Sequence, residues 1–411
     1  MKKPAILSWA VRLLVLALAA GLAIGGPLPI WAGRLFPSLS PLVALAHGVA
    51  GRSWYAPVFW LGPPVLMLAV AVWRGRWFCR WLCPVGTLVT GAAACGLRQR
   101  VWLFRLSGVL FWAALIGGVA GLPLFTTLDP LAQFTRLTVN LTAWRDGAAW
   151  IPGLLLPAAL LLGVFQPMLW CAQICPLGYL LERAYLGSRP ATARATLNQT
   201  RRDLLLGAAI GLPLVLLARR GLTRWLGITG GRPTAALPVL PPGAGAQDRF
   251  AALCTRCYAC VRVCPTKVLR PSRPQSGTPV AAWFTPALNT DAATCDEFCN
   301  RCTLVCPAGA IRPLTAAVKH QTQIGVAEVI QSACLAWADG QYCMVCQEFC
   351  PYRAITIDHD AKGLPRPVVQ PEICRGCGAC QNQCPAIRAG KAILIRGIPA
   401  QRRLAEPPAT T

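Results

Sequence analysis

Cys254-Thr255-Arg256-Cys257-Tyr258-Ala259-Cys260-Val261-Arg262-Val263-Cys264-Pro265 sets four thiols within eleven residues and closes on proline. Three more groups follow: Cys295, Cys299, Cys302 and Cys306; Cys334, Cys343, Cys346 and Cys350; and Cys374, Cys377, Cys380 and Cys384. The last thiol of each group precedes a proline, at Pro265, Pro307, Pro351 and Pro385. This spacing has a mechanical reason. Three close cysteines wrap one face of an iron–sulfur cubane, and the fourth is carried away on the start of a helix to the neighbouring cluster. Zinc sites use two cysteine pairs separated by a longer loop. Disulfides fail sterically for most neighbours this close. The sixteen thiols therefore imply four [4Fe–4S] clusters. The first and fourth groups keep the regular spacing, and Cys334 is the outlying ligand of the irregular third. The spacings allow groups one and four to pair as one ferredoxin unit and two and three as the other; pairing in chain order is equally allowed.

Small residues between the thiols, such as Gly376, Gly378 and Ala379, let backbone N–H groups approach sulfur. Short strands are expected after the motifs, at Ala354–Ile357 and Ala392–Ile395. Residues 250–411 thus read as an α+β ferredoxin-like domain, stapled by clusters because little continuous apolar core is visible.

The rest of the chain differs in composition. The protein has 411 residues, 55% hydrophobic and 13% charged, with a net charge of +25; a soluble domain carries about 25% charged residues. The charge alone suggests a polyanion binder. Its distribution argues against a nucleic-acid partner. From residue 250 on there are 17 basic and 10 acidic residues, and residues 1–249 hold 23 and 5. The excess lies in the most apolar part.

Five apolar stretches stand out there, at 6–24, 56–73, 106–125, 150–170 and 204–218. The first four approach the length that crosses ~30 Å of hydrocarbon. Basic residues gather in alternate connecting segments: Lys2 and Lys3; Arg74, Arg76, Arg80, Arg98 and Arg100; Arg183, Arg189, Arg194, Arg201 and Arg202. That alternation places the N-terminus in the cytoplasm. The sequence predicts an α-helical polytopic membrane domain over 1–199, a two-repeat four-helix bundle. A fifth anchor helix follows over 200–226, where Arg201-Arg202 before a short apolar run is like a twin-arginine signal. Residues 227–249, rich in Gly and Pro, read as a linker. The expected location is the cell inner membrane, multi-pass, with the cluster domain periplasmic.

The repeat is explicit. Cys79-x3-Cys83-Pro84-x-Gly86 recurs as Cys171-x3-Cys175-Pro176-x-Gly178, and Leu39-Ser40-Pro41-Leu42 resembles Leu128-Asp129-Pro130-Leu131. A pseudo-twofold axis would bring Cys79, Cys83, Cys171 and Cys175 together. They are read as ligands of an additional [4Fe–4S] cluster, as redox dithiols, or as structural apolar cysteines. Cys95 has no repeat partner. The chain's histidines are His47, His320 and His359, so no b-type haem is expected from this chain alone. Asp129 is a candidate proton acceptor for quinol oxidation; the alternative is a turn or helix-start residue before Pro130.

Two Cys-x3-Cys-Pro pairs resemble NapH, a membrane quinol dehydrogenase component. The four-motif half resembles the ferredoxin-type proteins NapG and MauM, carried by Pro241-Pro242-Gly243-Ala244, Cys254-Thr255-Arg256-Cys257 and the wide Cys334-x8-Cys343 spacing. The chain therefore resembles a NapH–NapG fusion. The resemblance implies electron transfer from a quinol to a periplasmic acceptor, such as a nitrate reductase-type system or a cytochrome partner. The expected partners are the lipid bilayer, the quinone pool and that periplasmic acceptor. The alternative is a redox maturation factor that supplies electrons for assembly of a periplasmic metalloenzyme.

Overall fold

The structure, a computed structural model, describes residues 3–24, 34, 37–45, 58–95, 106–119, 128–142, 151, 153–185, 193–220, 237–273, 282–360, 363–386 and 390–405. The expected His47 lies outside these residues.

The N-terminal half is helical. Its elements are α1 (Lys3–Ile24), α2 (Val58–Arg74), α3 (Trp77–Trp81), α4 (Pro84–Ala94), α5 (Ser107–Val119), α6 (Pro130–Thr142), α7 (Leu155–Phe165), a π-helical turn (Trp170–Ile174), α8 (Pro176–Ala184) and α9 (Ala193–Arg220). Proline at N1 starts α4, α6 and α8, where a missing N–H costs nothing. Asp129 caps α6: its Oδ2 accepts from the Ala132 N–H at 3.0 Å, and its Oδ1 accepts from Ser40 Oγ at 2.7 Å. Leu131, Leu156, Leu177, Leu181, Val85 and Val89 form the core of this half.

The expected polytopic membrane bundle is overturned. Among the described residues no helix is long and apolar enough to cross a membrane. Among the described residues the apolar stretches at 106–125 and 150–170 hold helices of 13 and 11 residues, about 20 Å or less at 1.5 Å per residue. The 28-residue α9 opens on Arg194, Arg201, Arg202 and Asp203 and holds Pro213 within its apolar part. The run of α1 is interrupted by Arg12. The boundary drawn at residue 199 also falls inside the continuous α9.

The second half carries α10 (Gln247–Leu253), α11 (Ala259–Val263), β1 (Leu269–Pro271), β2 (Pro286–Leu288), α12 (Arg301–Val305), α13 (Ala316–His320), β3 (Thr322–Val329), α14 (Val345–Glu348), β4 (Ile355–His359), β5 (Pro365–Val369), α15 (Ala379–Gln383) and β6 (Ile393–Arg403). All three sheets are antiparallel pairs: β1 with β2, β4 with β5, and β3 with β6. The strands expected at 354–357 and 392–395 are β4 and the start of β6. Residues 237–246, within the expected linker, are packed rather than loose. Val239, Leu240 and Ala244 are buried in the core of this half. The Gly397 N–H donates to Leu237 O and the Gln401 N–H to Gly245 O, which covers the free edge of β6.

Candidate iron–sulfur centre

Each pair of motifs flanks one hairpin. The first motif runs into β1, and β2 returns the chain to the second; the third motif runs into β4, and β5 returns the chain to the fourth. The hairpins bring the thiols of each pair of motifs together. Cys264, the fourth thiol of the first motif, lines one cavity with Cys295, Cys299 and Cys302 of the second. Cys384 of the fourth motif lines another with Cys334, Cys343 and Cys346 of the third. The complementary sets follow. Cys306 lies within electrostatic reach of Cys254, Cys257 and Cys260. Cys350 lies within reach of Cys374, Cys377 and Cys380. Of the two pairings the spacings allowed, the fold takes chain order. Cys334, the outlying residue of its motif, faces the same cavity as its partners.

The tetrads can be named in spatial order. Site A is Cys254, Cys257, Cys260 and Cys306; site B is Cys264, Cys295, Cys299 and Cys302. Site C is Cys350, Cys374, Cys377 and Cys380; site D is Cys334, Cys343, Cys346 and Cys384. Cys260 of A feels Cys302 of B. The Cys295 N–H of B donates to the Cys377 carbonyl of C at 2.9 Å. Cys380 of C feels Cys346 of D. The four sites therefore form one row.

The ligand loops are built for anionic sulfur. The Ile311 N–H points at Cys306 Sγ at 3.4 Å, Ala327 N–H at Cys374 Sγ at 3.4 Å, and Ala354 N–H at Cys350 Sγ at 3.3 Å. Burial pushes the Cys254 thiol up to about 11 against the Arg256 guanidinium, and Cys306 up to about 12 with Cys257 adding to it. Burial and then Cys257 raise Cys260 well above its ordinary value. Without a cation such thiols stay neutral, so a cluster binds only by displacing their protons. The cysteines are all free. Among the described residues no three His, Cys, Asp or Glu converge as a single ion requires. A lone zinc needs sulfurs about 2.3 Å from one centre, whereas a cubane takes one sulfur at each corner iron. The residues fit the larger group.

Other expected residues are placed as follows. Asp129 is wholly buried, and burial pushes its carboxyl up to about 6 against the hydrogen bonds from Ser40 and Ala132. Cys95 is exposed at the end of α4. Arg136 drew no functional reading from the sequence, yet it joins the two halves. It is completely buried, and its guanidinium donates to Arg256 O at 2.8 Å and Thr255 O at 2.7 Å, inside the first ligand loop. Its partners lie about 120 residues away, so no local pattern announces it.

Comparison with known proteins agrees with this geometry. A family model described as a 4Fe-4S dicluster domain matches residues 253–310 and 341–387, one match per motif pair. The ferredoxin-type protein MauM of Methylorubrum extorquens, named for methylamine utilization, is 31% identical over 205 residues, which is 48% of this chain and 90% of that protein. NapF of Escherichia coli is 31% identical over 41% of this chain and 90% of its own length. NapG of the same organism is 31% identical over 38% of this chain and 72% of its own. No solved structure matches.

Proposed function

We propose that this chain, which belongs to the ferredoxin-type iron–sulfur proteins typified by MauM, NapF and NapG, is a four-cluster electron relay in which single electrons pass along A, B, C and D. The row of tetrads carries this reading. Ligand exchange ties A to B and C to D, and the Cys295–Cys377 hydrogen bond ties the two pairs together. The four tetrads would hold the clusters, and the clusters would supply one-electron chemistry there. Protein N–H···S contacts stabilise the more negative state and tune its potential.

The donor in this reading is a quinol, and the acceptor is a periplasmic respiratory enzyme. A quinol gives up two protons with its two electrons, and a carboxyl near 6, as at Asp129, suits a proton acceptor. The exposed Leu13, Leu14, Leu66, Leu161, Phe165 and Leu205 give the helical half an apolar exterior, and a lipid surface is the partner assigned to it. The test is anaerobic mixing of the full chain with menaquinol and ubiquinol analogues while cluster absorption is followed. Bleaching by one analogue is expected. Clusters that dithionite reduces and neither quinol does would remove the quinol donor and favour the maturation role. Clusters that accept no electron from dithionite would end the relay reading itself.

A further inference from the structure

The helical half holds a fifth cysteine tetrad that the row of four leaves unexplained. Cys79 lies in α3 and Cys171 in the π-helical turn; Cys83 and Cys175 cap α4 and α8. Cys83 and Cys175 are buried in one apolar core, with Cys79 and Cys171 packed against it. Cys83 lies within electrostatic reach of the other three, and so does Cys175 of Cys79 and Cys171. The duplicated motif has thus brought four thiols to one apolar core.

The local geometry matches that of the cluster ligands elsewhere in the chain. Cys83 has φ −76° and ψ 115°, and Cys175 has φ −62° and ψ 112°. Cys264 and Cys306, fourth ligands of their motifs, have φ −70° and ψ 112° and φ −66° and ψ 113°. All four precede proline. The Gly86 N–H points at Cys83 Sγ and the Gly178 N–H at Cys175 Sγ, each at 3.4 Å, the distance found at Cys306. The glycines are required by the close approach of backbone. A Cβ on Gly86 would lie 2.5 Å from Cys79 O, and one on Gly178 would lie 3.1 Å from Cys171 O.

One cation serves both pairs. Arg76 donates from Nε to Gly178 O at 3.1 Å and from Nη2 to Cys171 O at 3.0 Å, and so ties the first repeat to the second. Its charge offsets the negative charge that four thiolates bring to a cubane. The site also leads toward site A. Cys175 feels Asp129, Asp129 feels Arg136, and Arg136 holds the Thr255 and Arg256 carbonyls between Cys254 and Cys257.

We propose that Cys79, Cys83, Cys171 and Cys175 ligate a fifth [4Fe–4S] cluster that exchanges electrons with site A, making the helical half the terminus of the relay. Each thiol loses its proton as its sulfur–iron bond forms, and the assembled cluster cycles between the 2+ and 1+ states by one electron. The inference deepens the relay reading and rests on it.

Iron and acid-labile sulfide in the full chain, purified anaerobically, test it. About 20 irons per chain are expected with five cubanes, against about 16 with four. The double variant Cys83→Ser/Cys175→Ser is expected to lose about four irons while the paramagnetic signals of the other reduced clusters persist. About 16 irons in the wild type, unchanged in the variant, would overturn the fifth cluster and leave the relay standing. So would two fewer titratable thiols in the oxidised wild type, which marks a disulfide. If the variant fails to fold, the wild-type count decides alone. A wild-type count near zero would instead mark failure of the relay itself.

Discussion

At Gly376 the backbone has φ +76°, and a Cβ there would meet the Gly325 backbone at 2.6 Å. Gly376→Ala is therefore expected to cost about 1–2 kcal/mol in the left-handed conformation alone, with the steric conflict added. Iron analysis should show site C lost, and retained iron would show that the loop can shift. The corresponding positions of the first motif are Arg256 and Tyr258, left-handed without being glycine. Hydrogen bonds from Arg256 Nε to Trp283 O at 2.8 Å and from Tyr258 Oη to Phe284 O at 3.0 Å hold them there. Asp129 sets a pH dependence. Its carboxyl, near 6 when folded and near 3.8 ordinarily, is raised by burial. The unfolded chain therefore loses this proton first, and stability falls as pH rises from about 4 to 6. Asp129→Asn should remove the penalty, about 3 kcal/mol above pH 6 and nothing below 4. Melting temperatures across that range should converge in acid; parallel curves would contradict it. The ligand cysteines were legible one by one because their chemistry is local. Arg136 was not, because both its partners belong to the other half.

Among the elements, α6 and the first ligand loop are joined through Arg136. Arg136→Met removes the guanidinium that donates to the Thr255 and Arg256 carbonyls, a loss of about 2–4 kcal/mol. Faster amide exchange across residues 254–258 is expected, and unchanged protection would place the anchoring elsewhere. The motif–hairpin–motif order was partly legible: strands after the third and fourth motifs show in the apolar runs that became β4 and β6. The 237–246 segment was misread because Gly and Pro, which mark linkers, also suit an extended edge segment whose bonds go to β6. The apolar stretches were misread for a related reason. Hydropathy does not fix helix length. Among the described residues α5 has 13 residues and α7 has 11.

For the whole molecule, the hairpins set which motifs turn their thiols to a common cavity. The four sites then follow the chain: A and B from the first pair, C and D from the second. The charge has a corresponding local use. Within residues 1–249, Arg76 and Arg136 donate to carbonyls of thiol loops, and that part of the basic excess belongs to their framework. The proposed relay is a row of interacting clusters. Paramagnetic resonance of the full chain, with electrons added one at a time, reads that interaction. At least four electrons per chain are expected, with splitting between adjacent reduced clusters. Uptake of fewer than four, or signals that never interact, would contradict it.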